Sequence, residues 1–188
     1  MKKSVYAWSI LLTLAVGMLA GFLIRDDVSF YLQSVKKPAL TPPAWVFPAV
    51  WTVLYVLMAW GLARVLVRAG QRAVRSRALT LYVAQLFFNF FWSILFFHVR
   101  AYLFSLVWLA ILWLLILAMA RAFSRADRAA AYLQVPYLAW VAFAGYLNLM
   151  VFLLNISFVP LIVATIAIVS TLSRSVKEAS GYTSVVMI

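Results

Sequence analysis

The chain is 188 residues long, 68% apolar and 16% aromatic, with a mean hydropathy of +1.05. That leaves too little polar surface to cover a water-soluble globule, so the sequence reads as an all-α integral membrane protein. Its net charge of +12 does not point to nucleic acid, because the sixteen Lys and Arg residues flank hydrophobic runs and do not gather on a soluble domain. The lack of cysteine excludes disulfides, thiolate nucleophiles and zinc–thiolate sites. One histidine and no carboxylate inside the apolar runs leave hydrolytic catalysis and metal binding little to work with.

Residues 5–24 carry no charge and form the first span, since twenty residues at about 1.5 Å each cover about 30 Å of hydrocarbon. Lys2 and Lys3 give it the look of a signal peptide. The run is long, however, and its end lacks a small-x-small cleavage pattern, so an uncleaved helix is expected. Gly17 and Gly21 form a small-xxx-small face for close helix approach, within the chain or in a dimer. Residues 25–43 then read as a long polar loop containing Phe30, Tyr31, Lys36 and Lys37, and its length favours a functional role.

The second span is expected over 44–63, with Thr41 capping it, Pro42 in its first turn and Pro48 bending its start. Trp51 and Tyr55, four apart, share a face and can line a slot between helices. Arg64, Arg68, Arg72, Arg75 and Arg77 follow, and their spacing suits guanidinium groups snorkelling to lipid phosphates. The third span, 78–97, places Gln85, Asn89 and Ser93 in one stripe with Trp92 beside it. Amides facing hydrocarbon are costly, so the stripe points into the bundle, either as interhelical hydrogen bonding or as the polar wall of a cavity. His98 ends this span at the membrane edge.

The fourth span is 101–120, and a basic connector, Arg121 to Arg128, follows it. Residues 129–173 form 45 positions without a charge, which as a single helix would exceed about 65 Å. The run must fold back, with a break at Asn155-Ile156-Ser157. This gives a fifth span over 129–154, an extra hydrophobic segment over 156–173 that is a sixth span or re-entrant, and a polar tail over 174–188. Six crossings with both ends cytoplasmic put twelve basic residues on one side and four on the other, against ten and six for five crossings. The expected location is the bacterial cytoplasmic membrane with a cytoplasmic N-terminus, the outer membrane being the alternative. No carboxylate, Lys or Arg lies inside a span, which disfavours ion-coupled transport.

The runs KPALTPPAWVFPAVWTVLYVLM, AQLFFNFFWSILFF and VPYLAWVAFAGYLNLMVFLLN, in this order, resemble the tryptophan-rich sensory protein family, also called translocator proteins or peripheral benzodiazepine receptors. The resemblance covers about residues 5–155. It implies a five-helix bundle, usually a homodimer, that binds porphyrins in a cavity under the first loop. Carried over by position, it implies a ligand site of Tyr31, Trp51, Tyr55, Asn89, Trp92, Ser93, Trp140, Ala144 and Leu147, and it favours the cavity reading of the stripe that includes Gln85. Lys36 and Lys37 are expected at the anionic edge of such a ligand.

The chain departs from the family pattern at Phe30, Ala59 and Phe152, and residues 156–188 have no counterpart in it. A cholesterol element seen in animal members is missing after the fifth span, so a sterol role is not expected. The function expected from the resemblance is a receptor or sensor that binds porphyrin as ligand, without a cofactor. The alternatives are passive transport and light- and oxygen-dependent porphyrin degradation with Trp51 and Trp140 as a redox pair.

Overall fold

The computed structural model describes residues 2–156 and 165–176. Seven α-helices build the main unit: α1 (Lys2–Leu23), α2 (Arg25–Ser34), α3 (Val46–Arg68), α4 (Arg72–Ser93), α5 (Tyr102–Ser124), α6 (Arg128–Tyr132) and α7 (Val135–Asn155). Among the described residues five helical stretches are long and apolar enough to cross a membrane: Lys3–Leu23, Val46–Arg68, Arg72–His98, Tyr102–Ser124 and Arg128–Asn155. Each expected span of the bundle has its helix.

The helix ends differ from expectation for physical reasons. Thr41 does not cap α3, because its hydroxyl turns back to the carbonyl of Pro38 at 2.7 Å and its N–H joins the same acceptor at 3.0 Å. The helix therefore starts at Val46, and Pro48 falls in its first turn, where a missing N–H costs little. At the other end α3 runs on to Arg68, and α4 already starts at Arg72. Helices continue into the headgroup layer, where arginine is well tolerated, whereas the uncharged run stops at its edge. Pro136 interrupts the fifth span, so that stretch comes in two pieces, α6 and α7.

The first loop also differs from expectation, since Arg25–Ser34 is helical. Its Tyr31 is buried against Phe96 and Phe97, with ring centroids 5.5 and 5.3 Å away. Burial pushes the Tyr31 phenol up to about 12, and the neighbouring Tyr102 adds to the effect.

Close backbone packing joins α1 to α3 and α4 to α5. Gly17 permits the first of these, because a methyl group added there would overlap the ring of Tyr55 on α3, whereas one at Gly21 would meet nothing within 4 Å. The close-approach face thus narrows to Gly17 and is used inside the chain. Side-chain hydrogen bonds tie α7 to α4 and α5.

At the arginine cluster expected from the sequence, Asp127 on the α5–α6 connector joins α3 and α6. Its carboxylate accepts from Arg64 Nε at 2.8 Å and Arg68 Nη1 at 2.6 Å on α3, and it caps α6 through the Ala129 N–H at 3.0 Å. Burial pushes this carboxyl up, but the Ala129 N–H and the two guanidinium groups outweigh it and hold the group below its ordinary value.

Residues 155–188 form a second unit. Its described part contains an apolar helix, Thr165–Val176, whose length of about 18 Å is short of a full crossing. The rest of the expected sixth segment and most of the polar tail, residues 157–164 and 177–188, lie outside the described residues.

Candidate functional site

The middle of the main unit is a hydrogen-bonded layer joining α3, α4 and α7. The Tyr55 hydroxyl donates to Asn89 Oδ1 at 2.7 Å, and Asn89 Nδ2 donates to the Tyr137 hydroxyl at 3.0 Å. That hydroxyl donates in turn to Gln85 Oε1 at 2.9 Å. Gln85, Asn89 and Tyr137 are at most 1% exposed. Polar groups so placed in apolar surroundings must find one another, and the shared bonds fix the spacing of the three helices. Gln85 Nε2 is left as a buried donor with no acceptor among the described residues.

A second polar tier lies further along α7. Asn148 Oδ1 accepts from Ser105 Oγ at 2.9 Å and from Trp92 Nε1 at 3.4 Å, and its Nδ2 donates to the Tyr102 carbonyl at 2.8 Å. Trp92 stacks on Phe96, with centroids 5.4 Å apart. Ser93, the last residue of α4, is partly buried and leads into a π-turn over Ile94–His98.

The aromatic side chains surround the first layer. Trp51 leans on Tyr55 and meets Tyr137 edge to face, at 5.6 and 6.1 Å. Trp140 meets Phe47 at 6.0 Å and Phe143 at 5.6 Å. A groove of about 620 Å³ lies between α7 and α3, lined by Ala49, Val50, Val53, Leu54 and Leu57 on one side and Pro136, Ala139, Trp140 and Phe143 on the other. A second groove, of about 500 Å³, runs between α5 and α7 past Ala110, Trp113, Ala142 and Gly145. Both are apolar and open towards the outside of the bundle.

Of the residues singled out in the sequence, Tyr55, Gln85 and Asn89 share the polar layer, with Trp51 against it. Trp140 faces the first groove, and Trp92 belongs to the second tier. Ala144 and Leu147 are buried along α7. Tyr31 packs at the π-turn, and Lys37 sits over its ring with Nζ 5.8 Å from the centroid, donating to the Leu32 carbonyl. Lys36 is exposed.

Tyr137 and Asn148 were not anticipated, although they organise both tiers. The argument that turns the α4 amides inward applies equally to Gln134, Tyr137 and Asn148 in the uncharged 129–154 run, and would have found them.

Gly17 sets the position of Tyr55, which gives a direct test. Gly17→Ala should lower stability by about 1–3 kcal/mol through overpacking, because the Tyr55 ring has to move off Asn89. Gly21→Ala should be neutral or stabilising by up to about 1 kcal/mol from helix propensity alone. Thermal unfolding of both variants in detergent decides it; equal melting temperatures would refute the positional role of Gly17.

Comparison with known proteins gives one consistent answer. The sequence profile of the TspO/MBR family matches residues 9–154. The chain is 38% identical over 144 residues to the tryptophan-rich protein TspO of Chlorobaculum tepidum, covering 77% of this chain and 91% of that protein. It is 37% identical to the tryptophan-rich sensory protein of Cereibacter sphaeroides, covering 79% and 92%. With the translocator protein of Bos taurus it shares 35% identity, over 70% of this chain and 79% of that one. A five-span bundle, an inward polar stripe on α4 and a match over nearly all of the main unit place this chain in the TspO/MBR family of integral membrane proteins.

Proposed function

We propose that this protein is a membrane receptor of the sensory type that binds a porphyrin against α3 and α7. The observation that carries the reading is the groove beside Trp140. Its volume falls in the range of small-molecule sites, and its walls are apolar and aromatic. A flat conjugated ring system gains about 0.5–1.5 kcal/mol per aromatic partner beyond its buried area. Relatives named sensory and translocator proteins support the same class of function.

In this reading the porphyrin is a ligand, Lys36 and Lys37 attract its carboxylates, and Gln85 Nε2 offers a donor to an acceptor brought into the bundle. The protein works as a homodimer in the cytoplasmic membrane with its N-terminus in the cytoplasm.

The test is a titration of the purified protein with protoporphyrin IX, following tryptophan emission and the porphyrin absorbance band. Saturable quenching with a stoichiometry near one per chain is expected. Quenching that grows linearly with porphyrin, as for partition into detergent, would rule the reading out.

A further inference from the structure

The helix Thr165–Val176, here α8, lies beyond the residues that match the family, so the family does not account for it. Every residue of it is exposed, and Ile166, Ile168, Val169, Leu172 and Val176 are 59–66% exposed. An apolar surface of this kind marks a contact with lipid or with another protein.

The helix has two clear sides. Turned at about 100° per residue, Ile168, Val169, Leu172 and Val176 fall within about 100° of one another, and Ser170, Thr171 and Arg174 occupy an arc of similar width directly opposite. Ile166 and Ser173 mark one border, Ser175 the other. A helix that crosses lipid is apolar all round, whereas this division suits one lying along a boundary. The hydroxyl groups fit the same place, because they donate within the helix. Ser170 Oγ reaches the Ala167 carbonyl at 2.9 Å, Thr171 Oγ1 the Ala167 and Ile168 carbonyls at 3.0 and 2.8 Å, Ser173 Oγ the Ser170 carbonyl at 3.0 Å and Ser175 Oγ the Leu172 carbonyl at 2.9 Å. The border serines therefore enter the headgroup layer without stranding a donor.

Length argues the same way. The sequence stays uncharged from α7 to Ser173, so no charged stretch draws it away from the membrane. Yet a helix over these residues, even counted back to Pro160, would cover about 21 Å, against about 30 Å of hydrocarbon. Arg174 follows at once on the polar arc, where its stem can lie along apolar surface while its guanidinium meets a lipid phosphate.

We propose that α8 is an interfacial helix, docked on the phospholipid surface with Ile168, Val169, Leu172 and Val176 towards the acyl chains and Ser170, Thr171 and Arg174 among the headgroups. The occupant of its apolar face is lipid and not a second helix. Beyond Thr165 in the first turn, that face carries only bulky aliphatic side chains, whereas helices associate in membranes through small residues, and here Ala167, Ser170 and Thr171 lie on the other side. The chain then crosses the bilayer five times, and Lys3 and Arg174 lie on opposite faces. Six crossings, expected from counting basic residues, need a longer apolar helix than this segment supplies.

Because the protein has no cysteine, a single one can be introduced and labelled cleanly. Ile168→Cys, Val169→Cys and Leu172→Cys sample the apolar arc, and Ser170→Cys, Thr171→Cys and Arg174→Cys the polar one. Each carries an environment-sensitive fluorophore in the full chain, reconstituted in phosphatidylcholine vesicles. Aqueous iodide should quench the polar set at least threefold more strongly than the apolar set. A lipid nitroxide near the headgroup should quench the apolar set more strongly than one near the end of the acyl chain. Six labels shielded from iodide and quenched best by the deep nitroxide would mean a crossing helix, and six labels equally open to iodide a helix in water. An apolar set shielded from both quenchers would mean a protein partner, and each of these three results overturns the proposal.

Two further measurements do not depend on the labels along the apolar arc. Adding Val169→Asp and Leu172→Asp to Ser170→Cys should raise iodide quenching of that label at least twofold and leave the melting temperature of the main unit unchanged, since neither side chain is buried; unchanged quenching would overturn the docking. In sealed membrane vesicles an impermeant maleimide should reach only one of Lys3→Cys and Arg174→Cys. Reaction of both from the same side would restore an even number of crossings and overturn the interfacial placement.

Discussion

Ala139→Phe is expected to weaken porphyrin binding at least tenfold, and Ala142→Phe, three residues further along the same helix, to leave it within twofold. Both alanines are exposed on α7, so neither substitution overpacks the core. They differ in which groove the new ring fills: Ala139 lines the one beside α3 and Trp140, and Ala142 the one beside α5. Trp140→Ala should produce a comparable loss, since a tenfold change corresponds to about 1.4 kcal/mol, within the reach of one aromatic contact and its buried area. Fluorescence or absorbance titrations of the three variants give the answer. A loss confined to Ala142→Phe would move the site to the α5 side, and no loss from Ala139→Phe or Trp140→Ala would remove the α3–α7 groove from consideration.

This pair of substitutions matters because both grooves border α7. The hydrogen bonds that Tyr137 shares with Gln85 and Asn89, and Asn148 with Trp92 and Ser105, fix the position of α7 beside both grooves. In lipid, where apolar surface offers little drive for helix association, such bonds help to seat a helix. The placement of α7, and with it the shape of both grooves, thus depends on residues that do not line them.

Much of the bundle is legible in the sequence because bilayer thickness imposes one length scale. An uncharged run of about twenty residues has few structural options, and the five crossings follow. The limits of each helix are less legible, because Arg64, Arg68, Arg72 and Arg75 continue the helices into a layer where charge is tolerated. The helix α2 escaped notice for a related reason. Its ten residues mix Arg25, Asp26 and Asp27 with Phe30 and Tyr31, and only packing of Tyr31 on the π-turn gives so short a segment a reason to be helical. At the site, spacing alone paired Trp51 with Tyr55 and aligned Gln85 with Asn89. It could not show that Tyr137 stands between them, because partnership across helices depends on the relative height of α4 and α7, which no local pattern encodes.

Asp127→Ala should be among the most destabilising single substitutions at the membrane surface, by about 2–4 kcal/mol. Two contributions add. The α6 N-cap is lost, typically about 1 kcal/mol, and Arg64, whose side chain is only 21% exposed, is left beside α6 without its counter-charge. Arg68 is 53% exposed and can turn to water, so Arg68→Ala should cost no more than about 1 kcal/mol despite its shorter contact of 2.6 Å. The ranking therefore follows burial and not distance.

The pH dependence has a definite sign. Asp127 has a lowered value in the folded protein, so its contribution is fully present above the ordinary carboxylate value of about 4 and is lost as pH falls below that through the folded value. Thermal unfolding in detergent at pH 7 and pH 3 should show wild type losing stability on acidification and Asp127→Ala losing less, the two curves converging at the acid end. Parallel curves would mean that the carboxylate is not what ties the α5–α6 connector to α3.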